Sequence, residues 1–218
     1  MKTIDEWLNT APDWAMVPLQ DYYALKMFSR GVRSTNHWVT IDPRRIVGAA
    51  RRDLQGVSVY KILKNRMVRF NQFQWDFWHR DPSALANPWE FIKDASDEAK
   101  DEYKAQWCLA RIGDDYFVSE GHHRSIMAKI LCNEGFIESL TVPTVLEIDF
   151  DHDAYAAYRL LKKIYPRKKI KIIRHAFGEA EQNIHFSWQT WFVWKCSMTT
   201  EQVLQRYGSS GNKAQKHG

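Results

Sequence analysis

Apolar and polar positions change rhythm several times along the chain, and each change marks an expected element. His37-Trp38-Val39-Thr40-Ile41 is the first run that reads as a strand, and Asp42-Pro43 ends it. Residues 1–36, broken by Pro12 and Pro18, read as a helical or irregular lead-in. Pro43 suits the first turn of a short helix over Arg44 to Ala50. Val57 to Leu63 is apolar enough for a second helix, and Asp94 to Lys104 reads as a charged, exposed one. Trp107 to Ile112 is a strand candidate, Gly113-Asp114-Asp115 is a hairpin turn signal, and Tyr116-Phe117-Val118 is the return strand. A polar glycine segment comes next, then a helix over Ser125 to Leu131 and a strand over Val142 to Ile148.

The remainder predicts a helix over Ala154 to Ile164, a strand over Lys168 to Ile173, and an aromatic run from Phe186 to Trp194. A last helix starts at Thr199-Thr200-Glu201 and ends at Tyr207-Gly208. Residues 208–218 read as a disordered polar tail. Between 70 and 91 the chain crowds together Phe70, Phe73, Trp75, Phe77, Trp78, Trp89 and Phe91. Two readings stay open for these rings: they stack on nucleic-acid bases or a nucleotide ring, or they plug an insertion onto the core. The expected fold class is α/β, a small mixed sheet with flanking helices. It carries an aromatic helical insertion at about 65–105 and a C-terminal extension over 151–207.

Composition narrows the class. The chain has 218 residues, 44% of them apolar and 26% charged, which excludes a disordered chain. No apolar run reaches the ~18 residues of a membrane helix, and Met1 to Trp7 lacks a secretory core, so no membrane partner is expected. Cys108, Cys132 and Cys196 are odd in number and form no CxxC pair, which points to buried thiols in a reducing, cytoplasmic compartment. Net charge is +5, but its placement matters more: eight basic residues and no acidic one lie between Ala154 and Gly178. Arg167, Lys168, Lys169, Lys171 and Arg174 from that stretch are candidates for tracking a DNA backbone. The competing reading is a solvated helix face followed by an edge strand with protective lysines.

The segment with the richest chemistry is Glu120-Gly121-His122-His123-Arg124-Ser125. A helix start exposes unsatisfied N–H groups and the positive end of its dipole. Glycine just before it lets a ligand approach the backbone, and two histidines and an arginine add donors, a combination that favours phosphate. Glu120 would repel phosphate unless it holds Mg²⁺ or accepts a proton from an attacking hydroxyl or water. The plainer alternative is that Ser119 or Glu120 caps the helix while the histidines satisfy carbonyls. Asp149, Asp151 and Asp153 offer a second acidic cluster, either a metal site or the cap of the helix at Ala154.

Tyr116 to Lys129, with Gly121-His122-His123-Arg124 at its centre, resembles the signature of the ParB/sulfiredoxin superfamily. Leu140-Thr141-Val142-Pro143 is similar to the strand that follows in that fold. Val39 to Ile46 with Arg51-Arg52 resembles its opening strand, proline turn and arginine. The resemblance covers roughly residues 37–150, the insertion excepted. It implies a site for the phosphates of ATP, ADP or CTP with Mg²⁺. Gly121, His122, His123, Arg124 and Ser125 would hold them, and Arg51 or Arg52 would close over them. His122 stands where sulfiredoxins place a catalytic Cys, which argues against that activity, and too little chain follows Asp149 for a complete partition protein. The free-serine kinases of this fold carry an acidic residue before Gly-His-His-Arg, as Glu120 does here. That version implies catalytic roles for Glu120, His122 and a second early acid, for which Asp53 is the candidate by position. Transfer or hydrolysis of a nucleotide phosphate is therefore the expected function, with a ParB-like DNA-binding protein or nuclease as the alternative, and a non-catalytic binding module as the third.

Overall fold

The computed structural model describes residues 2–68, 71–177, 181–189 and 195–208. They form two compact units, residues 2–24 with 31–149 and residues 25–30 with 150–208. Phe70, residues 190–194 of the aromatic run and residues 209–218 of the expected tail lie outside the described residues.

The chain opens with α1 (Ile4–Asn9), α2 (Asp13–Met16), β1 (Gln20–Asp21), α3 (Tyr22–Lys26) and a long β2 (Ser29–Ile41). The lead-in is thus partly helical, one of its two readings, and also carries strand. Trp7 and Ala15 are buried in the core of the first unit, and the strand expected from His37 starts at Ser29. The helix expected over Arg44 to Ala50 is absent. Pro43 starts only a three-residue 3₁₀ turn (Pro43–Arg45), and Ile46–Ala49 forms β3. The reason is long-range: β3 pairs in parallel with β1 on one side and with β5 (Asp115–Val118) on the other. A strand covered on both faces needs no polar alternation, so its apolar run does not declare itself.

After a second 3₁₀ turn (Arg52–Leu54) and α4 (Val59–Lys64), the insertion supplies α5 (Gln72–Arg80), α6 (Pro82–Ala86), α7 (Trp89–Ile92) and α8 (Asp97–Gln106). Its aromatic side chains divide between buried and exposed positions. Trp75 is fully buried, packs edge-on against Trp7 and donates its indole N–H to the Lys2 carbonyl at 2.7 Å. Phe73 and Phe91 stay 73% and 68% exposed.

Beyond the insertion come β4 (Cys108–Ile112), the hairpin return β5, α9 (His122–Asn133) and β6 (Leu140–Phe150). The six strands form a mixed sheet in the order β1-β3-β5-β4-β6-β2. β4 runs antiparallel to β5 and parallel to β6. Helix α9 packs on this sheet through Ile126, Met127, Ile130 and Leu131, all buried. Its Lys129 donates to the carbonyls of Arg44 and Ile46, both at 2.8 Å, tying the helix to the edge of β3. The unit is therefore α/β, a mixed sheet flanked by helices.

The second unit holds α10 (His152–Ile164), an antiparallel sheet in the order β7 (Lys171–Phe177), β8 (Glu181–Gln189), β9 (Lys195–Thr199), and α11 (Thr200–Tyr207). Phe28 joins its core beside Ala154, Ala157, Leu161 and Phe186. The strand expected from Lys168 starts three residues later, because the Lys168 N–H closes a turn onto the Tyr165 carbonyl at 3.0 Å. Asp151 proves to be a cap: its carboxylate accepts from the Ala154 N–H at 2.8 Å and pairs with Arg30 at 3.0 Å.

Candidate functional site

The Glu120–Arg124 segment lies where β5 gives way to α9. The N–H groups of Ser119 and Glu120 both donate to the Cys108 carbonyl, at 2.9 and 3.0 Å, which pins the segment to the start of β4. Helix α9 begins at His122, three residues before the expected Ser125. Its cap is not the side chain of Ser119 or Glu120 but Gly121 itself, in the left-handed region at φ 77° and ψ 33°. A Cβ at Gly121 would lie 2.5 Å from Cδ1 of Trp107. Glycine is required here both by the backbone angle and by the packing.

Trp107 organises this turn. It is fully buried, its ring abuts Gly121, and its indole N–H donates to Ser125 Oγ at 2.9 Å. The Arg124 guanidinium carbon lies 5.7 Å from the Trp107 ring centre and 5.0 Å from that of Tyr103, within cation–π range of both. The His123 ring stacks on Trp78 at 6.1 Å and 24°. Among the described residues Arg124 has no carboxylate partner.

Arg51, Glu120, Gly121, His122, His123 and Arg124 line one cleft of about 610 Å³. Arg66 and Gln106, which the sequence reading did not single out, line it as well. Arg51 is held from two sides, by a two-pronged pair with Asp53 at 2.7 and 2.8 Å and by the Met67 carbonyl at 2.6 Å. The Arg51 hydrogen bond holds the Asp53 carboxyl below the usual carboxylate range. Three expected site residues are placed differently. The Arg52 guanidinium lies over Tyr23 at 5.7 Å rather than in the cleft. Ser125 is fully buried, its hydroxyl engaged by Trp107, so only its backbone belongs to the helix start. Asp53 does not line the cleft and is spoken for by Arg51. Glu120 is exposed at the cleft.

Burial sets the histidines' charge. It lowers the His122 pKa from the ordinary 6.5 to about 4, with Arg51 adding to the effect, while Asp53 opposes it. Burial, then Arg124, lowers that of His123. The His122 Nε2 atom is buried without a hydrogen-bond partner. Both rings are therefore neutral near pH 7, offering hydrogen bonds rather than charge. Between pH 6.5 and about 4 the unfolded chain binds a proton at His122 that the folded protein refuses, so folding stability falls as pH falls through that window. The melting temperature of His122→Gln should decline less steeply from pH 7 to pH 4 than that of the unsubstituted protein, with His123 supplying part of the remaining slope. Parallel curves for the two proteins would contradict this placement of His122.

The basic residues nominated for DNA sit in the second unit. Arg167, Lys169 and Lys171 are exposed and Lys168 is half-buried, between the end of α10 and the start of β7. Arg174 lies within β7. Cys108, Cys132 and Cys196 are unpaired. Among the described residues no group of three or more His, Cys, Asp or Glu side chains could hold a metal ion, and no helix is long and apolar enough to cross a membrane. Compared with known proteins, the chain matches no family model, no curated protein and no solved structure.

Proposed function

We propose that the cleft at the start of α9 binds the phosphates of a nucleoside di- or triphosphate and serves its hydrolysis or transfer, on a fold of the ParB/sulfiredoxin kind. The observation that carries this reading is the convergence of Arg66, Arg124, the Asp53-anchored Arg51 and a glycine-capped helix N-terminus on one cleft, with Arg124 in no ion pair among the described residues. Guanidinium groups and helix N–H donors are complementary to phosphate oxygens and lose least when paired with them. Gly121 lets the helix start at the cleft in a left-handed turn against Trp107, and neutral His122 and His123 would add hydrogen bonds without displacing the arginines. Glu120, exposed at the cleft, would take a proton from an attacking hydroxyl or water.

Mg²⁺ typically takes one or two carboxylates and completes its shell with phosphates and water. Glu120 suits the one-carboxylate case. Asp53 does not add a second ligand, because Arg51 occupies both of its oxygens. Bound there, the ion would neutralise phosphate charge. In this reading Asp53 anchors Arg51.

Thermal melting with ATP, ADP, CTP and GTP, each with Mg²⁺, is the direct test. A ligand at ~100 times its dissociation constant stabilises by roughly 2.7 kcal/mol. Arg124→Ala should weaken the binding of whichever nucleotide gives the shift by about 10- to 100-fold, the worth of one or two charge-assisted hydrogen bonds. Absence of any shift, or full affinity in Arg124→Ala, would overturn the assignment.

A further inference from the structure

We infer that Tyr103 and Trp107 are positioning residues for phosphate recognition: Tyr103 from the insertion and Trp107 just after it form an aromatic brace that holds the Arg124 guanidinium in the cleft, in place of a carboxylate. The inference rests on the phosphate reading above and says how that site is built. Three observations carry it.

First, the guanidinium is within cation–π range of two rings, Tyr103 at 5.0 Å and Trp107 at 5.7 Å, and has no ion pair among the described residues. A carboxylate would hold an arginine as firmly but would offset part of the charge that recognises an anion. Ring faces fix the guanidinium plane and leave its N–H edges and its charge available. The contrast within the same cleft is direct, since Arg51 is held by Asp53.

Second, both rings are themselves immobilised. Trp107 is fully buried and bonded to Ser125, one residue along the helix from Arg124. Tyr103, half-buried on α8, lies parallel to Trp38 at 6.3 Å and 15°. Trp38 in turn packs 4.7 Å from Trp89 of α7. Third, Trp38 takes a left-handed backbone conformation, φ 55°, which a tryptophan rarely adopts. Such strain persists where surrounding packing over-determines it. Here it turns the ring from β2 onto the insertion helices and fixes the outer end of the stack.

The test compares Tyr103→Phe, Tyr103→Leu, Arg124→Lys and Arg124→Ala with the unsubstituted full chain, titrating inorganic pyrophosphate and ATP with Mg²⁺ by calorimetry at constant salt. Tyr103→Phe keeps the ring and should bind within about twofold of the unsubstituted protein. Tyr103→Leu keeps an apolar side chain but loses the ring and should weaken both probes about tenfold, as should Arg124→Lys, whose compact ammonium has no planar face to stack on a ring. Equal loss in Tyr103→Phe and Tyr103→Leu would show that the ring is not the agent, and full affinity in Tyr103→Leu alongside a loss in Arg124→Ala would end the brace while sparing the phosphate site. Should Tyr103→Leu fail to fold, Arg124→Lys decides: full affinity there overturns the brace. Failure of the unsubstituted protein to bind either probe, or undiminished binding by Arg124→Ala, overturns the phosphate reading and the brace with it.

Discussion

Trp107→Ala is expected to lower folding stability by about 4 kcal/mol, the usual cost of emptying a fully buried tryptophan site. For a chain of this size that corresponds to a fall in melting temperature of roughly 10 °C. The cost has two physical parts. The first is the cavity left among the core side chains between β4 and α9. The second is the Ser125 hydroxyl, fully buried, which loses the indole N–H that it accepts at 2.9 Å. Trp107→Phe separates them, because it restores most of the packing and none of the hydrogen bond. Urea denaturation of the three proteins measures both. A loss under about 1.5 kcal/mol in Trp107→Ala would mean that the surroundings collapse around the gap and that the helix start does not depend on this ring.

Gly121→Ala is expected to destabilise by about 3 kcal/mol. Part is the left-handed backbone, φ 77°, which an L side chain adopts at a cost of roughly 1–2 kcal/mol. The rest is overlap: the new Cβ would fall 2.5 Å from the Trp107 ring and 3.2 Å from the Gln106 carbonyl. The tryptophan is fully buried and bonded to Ser125, so it has nowhere to retreat. The same methyl would push on the first turn of α9, so any nucleotide affinity should fall together with stability. Gly135→Ala is the control. It shares the left-handed conformation, φ 80°, but has open space at the Cβ, so it should show the backbone cost alone. Equal effects at the two glycines would remove the packing component of the argument.

The hairpin from β4 to β5 was legible because turn chemistry is local: Gly113 sits at φ 60° where the strands reverse, beside Asp114 and Asp115 and between two mostly apolar strands. The start of α9 was legible to within three residues. The miss has a cause, since the usual Ser, Thr, Asp or Asn cap is replaced by a glycine whose fitness depends on Trp107, which sits on a different element. β3 was misread because Pro43 carries a genuine helix-start signal that is used up in one 3₁₀ turn, after which pairing with β1 and β5 decides. At the site, the polar loop announced itself, but its supports did not. Arg51 and Arg52 are indistinguishable in sequence, and only the turn between them and Leu54 sends one toward Asp53 and Met67 and the other toward Tyr23. Tyr103 and Trp107 looked like a helix surface and a strand start. An aromatic residue four positions before another, at the junction of a charged helix and a strand, was the available signal.

The second unit is discontinuous in the chain, and this has a consequence for synthesis on the ribosome. Residues 25–30, including Phe28, leave the exit tunnel before any of the segment that covers them, residues 150–208. At 5–20 residues per second, the Phe28 ring, 1% exposed in the finished protein, waits on the order of 10 s for Tyr155, Tyr158 and the rest of its shelter to be made. The first unit, by contrast, has all its strands in hand once β6 emerges. The nascent chain thus passes through an interval in which the sheet bearing the candidate site can close while a sticky aromatic segment between α3 and β2 still lacks its cover.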